Sequence, residues 1–222
     1  MAATKRLKSV VPLRRERRPD ERPRELIDAA LSVFAERGYH NTRLDDVAEA
    51  AGVTKGTIYH YFDTKEDLLL NVIEHYQTLA FGRVEDVLQN TRLAASTRIR
   101  LLIRKMFSVG EGRSRSLLAL LVRGIAHEVP RVHEQWLKDG PVRLWSLVAE
   151  LVEEGKERGE FRSDADADVA ARLLVSGVML QRMWNQHAAE VPEVAIDDDR
   201  LIESAVELFL AALRPLPLPR RH

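Results

Sequence analysis

Apolar positions along the chain recur three and four residues apart almost throughout, and hardly any stretch alternates in steps of two. This spacing predicts α-helices, because it gathers apolar side chains on one face of a helix of 3.6 residues per turn. The pattern therefore predicts an all-α protein.

Two helices are predicted at the start of the chain, and the second of them is very short. One carries an apolar stripe over 26–34 and ends at Gly38, and a second, also apolar on one face, ends at Gly52. Thr42 and Asp45 have the spacing of a capping box, so we expect Thr42 to cap the second helix.

Two further helix starts follow closely. Thr54 has the residue type of an N-cap before a short helix that carries Ile58, and residues 63–67 open a longer helix that continues to Leu79. We expect three apolar or aromatic side chains near its end to point into the larger domain that follows: Tyr76, Leu79 and Phe81.

Beyond residue 87 the amphipathic segments are longer, and breakers separate them. The segments cover 99–107, 117–126, 142–157, 166–187 and 200–213. The breakers are Gly110 with Gly112, Pro130, Gly140 with Pro141, Gly159 and Pro192. The change from short to long helices predicts a domain boundary near residue 66. We divide the chain into a basic, disordered arm (1–21), a helix-turn-helix domain (22–66), a larger helical domain (67–214) and a tail (215–222).

Composition excludes several protein classes. The 222 residues contain no cysteine, which excludes disulfides, thiolate metal sites and cysteine nucleophiles. The longest run without a charged side chain, 173–181, is far shorter than the roughly 20 residues that a membrane-spanning helix needs. No apolar run typical of a secretion signal follows the basic N-terminus. We predict a cytoplasmic protein.

Charge is balanced overall but unevenly distributed. The formal net charge is zero, yet residues 1–24 hold nine basic and three acidic side chains. A basic arm suits a contact with nucleic acid, since binding releases the counterions condensed on phosphates. A solvated tail without a partner is the alternative.

The segment from 44 to 61 has the properties of a helix-turn-helix, whose second helix lies in the major groove of DNA. Ala48 and Ala51 are small where two helices cross, Gly52 allows the turn, and Val53 and Ile58 anchor the second helix.

The outward positions of that second helix carry hydroxyls, cations and aromatic rings, which suit contacts with phosphates and base edges: Thr54, Lys55, Thr57, Tyr59, His60 and Tyr61. Gly56 within it costs about 1 kcal/mol against alanine, and close approach of the backbone to DNA is one reason for it. Lys65, at the start of the next helix, offers another phosphate contact. We expect Phe62 to be a core residue.

The run LDDVAEAAGVTKGTIYHYFDTKEDL, residues 44–68, resembles the DNA-binding signature of the TetR-type (TetR/AcrR) bacterial transcriptional regulators. The resemblance covers residues 22–70. It implies an N-terminal three-helix DNA-binding bundle joined to a larger C-terminal ligand-binding and dimerisation domain, with about nine helices in all. It also implies a set of DNA-facing positions: Thr42, Arg43, Thr54, Lys55, Thr57, Tyr59, His60, Tyr61 and Lys65.

For pairing, the resemblance implies that the last two long helices of two chains form a four-helix bundle about a twofold axis. The expected interface residues are apolar or small: Leu173, Gly177, Leu180, Trp184, Leu201, Ala205, Leu208 and Phe209. The alternative is that both stripes face the protein's own core.

The larger domain exceeds what a DNA-reading module needs, and it contains all three tryptophans. Because ligand sites commonly form between helices, we expect a small-molecule site there. The candidate lining residues are Arg123, His127, His133, Trp136, Trp145, Met179, Met183 and Trp184. Alternatively, the tryptophans are plain core residues and the polar side chains lie on the surface.

Enzyme motifs are incomplete. His127 and Glu128 begin like a zinc-protease motif, but Arg131 stands where the second histidine belongs. Asp164, Asp166 and Asp168 lack the glycine and glutamate of a calcium loop, and such carboxylates favour a helix N-terminus instead. We predict no enzyme, no metal and no cofactor.

The sequence thus predicts a homodimeric DNA-binding regulator that reads a palindromic operator, with a small-molecule effector and no membrane partner. We expect a repressor released by a small, mostly apolar ligand. The alternatives are an activator or a ligand-independent regulator and, from another class, a helical enzyme or protein-interaction module.

Overall fold

The structure is a computed structural model that describes residues 22–107 and 129–215. Every regular element in those two ranges is a helix, so the predicted all-α class is confirmed. No helix among these residues is long and apolar enough to cross a membrane.

The N-terminal helices are α1 (Arg22–Arg37), α2 (Leu44–Ala50), α3 (Lys55–Tyr61) and α4 (Lys65–Gly82). Gly38 ends α1 with φ +79° and Gly52 forms the turn after α2 with φ +65°, a left-handed backbone that favours glycine. The cap predicted for α3 is present, since the hydroxyl of Thr54 accepts from the N–H of Thr57 at 3.3 Å. Thr64, within the segment predicted to open α4, caps that helix in the same way.

The start of α2 differs from the prediction. The N-cap residue is Arg43, whose N–H donates to Asp46 Oδ2 at 2.7 Å, and not Thr42. Thr42 is 1% exposed, and its hydroxyl donates to the carbonyl of Gly38 at 2.8 Å. Because the Thr42 hydroxyl points inward to a carbonyl at the end of α1, it does not cap α2. Arg43 is the N-cap residue instead, and the Asp46 carboxylate accepts its N–H.

The later helices are α5 (Glu85–Gln89), α6 (Ala95–Phe107), α7 (Pro130–Leu137), α8 (Arg143–Glu157), α9 (Ala167–Trp184) and α10 (Asp198–Leu213). Short 3-10 turns at Asn185–His187 and Pro192–Val194 connect α9 to α10. The segment predicted at 117–126 lies outside the described residues. Asp166 caps α9 by accepting from the N–H of Val169 at 3.0 Å, as its carboxylate suggested.

The predicted interruption at Gly140 with Pro141 is wrong. A π-helical segment, Lys138–Val142, joins α7 to α8 without a break. Pro130 begins α7, where a missing N–H costs nothing, whereas Pro141 is inside the helical run. Since Pro141 cannot donate an α-helical hydrogen bond, a locally widened turn is the conformation that accommodates it.

Two hydrophobic cores hold these helices. The first packs α1 to α4 together with Val129 and Val132, and the second packs Phe81 of α4 with α6, α8, α9 and α10. Tyr76 does not face the second core as predicted: it packs against the first, and its hydroxyl donates to Asp28 of α1 at 2.7 Å. Helix α4 therefore contributes to both cores.

Glu160, in the turn after α8, caps α6 from outside that helix. Its carboxylate accepts from the N–H groups of Ala95 at 2.9 Å and Ser96 at 3.2 Å. Partial burial by itself raises the pKa of Glu160, but these N–H groups and the hydroxyl of Ser96 favour the ionised form and leave the pKa below its ordinary value. The carboxylate thus satisfies donors at a helix start that carries no acidic residue of its own.

We expect Glu160→Gln to lower the free energy of unfolding by about 1 kcal/mol at neutral pH, because the amide binds those donors more weakly. A lowered folded-state pKa means that the contribution is complete above the unfolded pKa, about 4.3, and is lost as the pH falls through the folded value. Urea unfolding at several pH values measures it, with the exposed Glu157→Gln as control. An equal difference between wild type and variant at acidic and neutral pH would contradict this account.

Candidate nucleic-acid interface

Helix α3 is anchored on the first core by one face. Ile58 is fully buried and Phe62 nearly so, and Val53 packs partly against the same core. These positions confirm the prediction that Val53 and Ile58 fix the helix and that Phe62 is a core residue. The opposite face of α3 is exposed to solvent.

Lys55 is positioned by α2. Its ammonium donates to Asp45 Oδ2 at 2.6 Å and lies 5.7 Å from the centre of the Tyr59 ring. The hydrogen bond to Asp45, followed by the opposite charge, raises the pKa of Lys55 above its ordinary value. The cation stays charged and is held along the outer face of α3.

The other predicted positions on α3 differ in exposure. Tyr59 is 45% exposed and His60 is also exposed, while Thr57 is half-buried with its hydroxyl 2.9 Å from that of Thr54. Tyr61 is half-buried against the first core, and the His60 ring meets it edge-on with centroids 5.1 Å apart. The outer face thus combines the cation of Lys55, the hydroxyls of the two threonines and the rings of Tyr59 and His60.

Two of the predicted positions in the loop and at α4 have internal partners. The ammonium of Lys65 donates to the carbonyls of Tyr39 at 2.7 Å and His40 at 3.2 Å, which ties the loop after α1 to the start of α4. The buried side chain of Thr42 does not face solvent, so we group it with the residues that shape this loop. Arg43 is exposed beside them.

Gly56 lies in the first turn of α3 with no left-handed backbone. A Cβ added there would meet one atom within 4 Å, Thr54 Oγ1 at an ordinary 3.9 Å. Neither backbone conformation nor packing within the described residues requires this glycine.

Helices α9 and α10 expose an apolar face. Leu173 and Leu208 are each 72% exposed, and Gly177, Leu180 and Trp184 are exposed on the same helix as Leu173. The remaining predicted interface residues are half-buried and pack in part against the second core: Leu201, Ala205 and Phe209. Val169, 50% exposed and one turn before Leu173, extends the face and was missed, although its spacing of four residues signals it.

The predicted ligand-site residues fall into separate groups. His133 and Trp136 of α7 have ring centroids 5.4 Å apart, and Trp136 packs against the first core. Trp145 and Met179 pack against the second core. Met183 is half-buried, Trp184 belongs to the exposed apolar face, and Arg123 and His127 lie outside the described residues.

Two buried polar atoms accompany these groups. His133 Nδ1 and Trp145 Nε1 are shielded from solvent and have no hydrogen-bond partner within 22–107 and 129–215. A buried donor without a partner costs about 1–3 kcal/mol, so such an atom is a natural contact for a polar group of a ligand.

A short anchored helix, a left-handed glycine turn before it and a cationic, hydroxyl-bearing outer face define a helix-turn-helix DNA-binding protein. Residues 26–72 match the family model of the bacterial regulatory proteins of the tetR family. Residues 100–215 match that of the AefR-like transcriptional repressor, C-terminal domain. The chain belongs to the TetR family of bacterial transcriptional regulators.

Relatives and solved structures agree with this family. The chain is 28% identical to the transcriptional repressor KstR2 of Rhodococcus jostii, over 75% of this chain and 81% of that protein. It is 31% identical to the transcriptional regulator AcuR of Cereibacter sphaeroides, over 68% and 70%. The structure of FadR from Bacillus subtilis in complex with stearoyl-CoA superposes with a TM-score of 0.70 at 26% identity, over 86% of this chain and 99% of that one.

We expect Gly56→Ala to raise the free energy of unfolding of the free protein by up to about 1 kcal/mol, since alanine favours helix and nothing obstructs its Cβ. We expect the same change to weaken operator binding, because the added methyl group separates the backbone of α3 from DNA. Thermal unfolding and anisotropy titrations measure the two effects. Operator affinity equal to that of the wild type would show that DNA does not approach Gly56.

Proposed function

We propose that this chain acts as a homodimeric repressor that reads a palindromic operator and leaves it when a small, mostly apolar ligand binds. The observation that carries the DNA-reading part is the outer face of α3, where Lys55, Tyr59 and His60 face solvent around a glycine that the fold does not need.

Roles on DNA follow from exposure. Thr54, Lys55 and Arg43 lie at exposed positions suited to phosphates, and Tyr59 and His60 to base edges. Thr57 and Tyr61 reach DNA with the exposed part of half-buried side chains. Lys65 and Thr42 act chiefly by fixing the loop and α4, and the backbone at Gly56 makes the close approach.

The exposed apolar face of α9 and α10 supports pairing of two chains. Monomeric proteins rarely expose a contiguous apolar surface of this kind, and a twofold axis lets one patch cover its own copy. A dimer also holds two copies of α3 at a fixed separation, which a palindromic site requires.

We expect Leu173→Glu and Leu208→Glu each to shift the dimer towards monomer, because pairing would bury an unpaired carboxylate. Val142→Glu changes another exposed apolar residue, 41% exposed and outside α9 and α10, and serves as the control. Sedimentation equilibrium gives the dissociation constants. A monomeric wild type, or variants that pair as the wild type does, would contradict the interface.

A mostly apolar ligand fits the aromatic side chains among the candidate ligand contacts on α7 and α8. The relative FadR of Bacillus subtilis is described in complex with stearoyl-CoA, a long alkyl chain with a polar head. In this chain the aromatic rings of α7 and α8 would contact the apolar part, and His133 Nδ1 or Trp145 Nε1 would bind the polar part.

Stearoyl-CoA is therefore the first probe. We expect it to lower operator affinity by roughly 5- to 150-fold, the usual size of such coupling, and operator to weaken stearoyl-CoA binding by the same factor. Anisotropy and calorimetric titrations, each with and without the other ligand, measure both factors. Tight binding of the probe with unchanged operator affinity would contradict its role as inducer.

We retain the division into an arm (1–21), a DNA-binding domain (22–66), a sensing and pairing domain (67–214) and a tail (215–222) as part of this proposal. A repressor of this kind acts on chromosomal DNA, which places it in the bacterial cytoplasm. We assign it no enzymatic activity, no metal and no cofactor.

A further inference from the structure

Helix α4 contacts α7 within the first core and, between the two cores, through one polar side chain. Ile73 belongs to the first core and Phe81 to the second, and Gln77 lies midway between them at a spacing of four residues. Positions four apart share one face of a helix. The face of α4 that joins the cores is thus apolar at both ends and polar at its centre.

The amide of Gln77 reaches the end of α7. Its Nε2 donates to the carbonyl of Trp136 at 3.0 Å, across 59 positions of sequence. Trp136 lies in the last turn of α7, two residues before the π-helical segment that contains Pro141. Since π-helical turns are rare and frequently mark functional positions, this contact joins α4 to the least regular part of the helical run from α7 to α8.

Gly140 makes room for this contact. A Cβ added there would lie 2.6 Å from Nε2 of Gln77 and 3.7 Å from Nε1 of Trp136. The backbone of Gly140 needs no left-handed conformation, so the space it leaves for Gln77 is what a side chain there would remove. We call Gln77, Trp136 and Gly140 the α4–α7 joint.

We propose that the α4–α7 joint sets the angle of α4 against the larger domain, and that Gln77 is thereby a positioning residue for the two DNA-reading helices of the dimer. This rests on the proposed function. His133 and Trp136, two candidate ligand contacts, are on α7, so a ligand that displaces α7 acts on α4 through this joint. Because α4 is continuous from Lys65 to Gly82, a change of angle at Gln77 moves the whole DNA-binding module.

Two variants break the joint from opposite sides. Gln77→Glu keeps the size of the side chain but removes the donor, and Gly140→Ala pushes the amide away from Trp136. The glutamine end is flexible and can move, so Gly140→Ala leaves the rest of the packing in place. Gly82→Ala is the matched control: it is on the same helix as Gln77, and its Cβ would meet nothing within 4 Å.

The test uses the full chain and two DNA duplexes. One carries the full site that the wild type selects from a randomised pool, and the other carries one half of that site. We expect both joint variants to bind the full site roughly 5-fold more weakly, because a looser α4 makes it costlier to hold two recognition helices in register. Binding to the single half-site and the thermal midpoint of Gly140→Ala should match the wild type. The double variant should lose no more than either single one, since both remove the same contact.

The outcomes separate the two proposals. If the wild type binds one half-site as tightly as the pair, the proposed dimeric reading of DNA is wrong. If the wild type distinguishes the two duplexes and both joint variants do so equally well, the joint does not position α4. Equal losses on the full site and on the half-site would also overturn the proposal, because they would indicate damage within the DNA-binding module itself.

Discussion

The rest of the structure depends on the burial of a single helix, α4, in two hydrophobic cores. Leu68, Leu69, Val72 and Ile73 complete the core beneath the helix-turn-helix, and Phe81 enters the core of the larger domain. Burial of apolar surface is the dominant favourable contribution to folding, so moving α4 out of either core would lower the stability of the protein. At about 27 Å for 18 residues, the helix is long enough to connect the two and stiff enough to move as a unit.

That constraint gives the DNA-reading surface its rigidity. Ile58 fixes α3 from beneath, and the Lys55–Asp45 pair fixes it to α2 at the surface. Lys65 holds the loop after α1 to the first turn of α4. We therefore expect the module to move with α4 and to change little internally, which a regulator requires if a distant site is to alter the spacing of two recognition helices.

Residue type and spacing predicted most helix ends and anchoring residues from the sequence. The exceptions arise from contacts that only the folded structure shows. The glycine turns at 38 and 52, the cap at Thr54 and the anchor Ile58 follow from residue type and spacing alone. The hydroxyl of Thr42 binds the carbonyl of Gly38, four residues earlier at the end of α1, and the hydroxyl of Tyr76 binds Asp28, 48 residues away. Neither partner could be predicted from residue type and spacing. Helix α7 and its continuation through Pro141 were missed because a proline inside a helix is locally unfavourable. The role of Gln77 could not be predicted from the sequence, because a single glutamine on an amphipathic helix is common and its partner, the carbonyl of Trp136, is 59 positions away.

In the proposed regulator, two copies of α3 read DNA as a twofold pair. The most direct measurement of this twofold reading is selection of bound duplexes from a randomised pool by the full-length wild-type chain. We expect enrichment of an inverted repeat whose half-sites have centres separated by about one helical turn of DNA, roughly 34 Å, or a multiple of it. Enrichment of a sequence without twofold symmetry, or no enrichment at all, would contradict it.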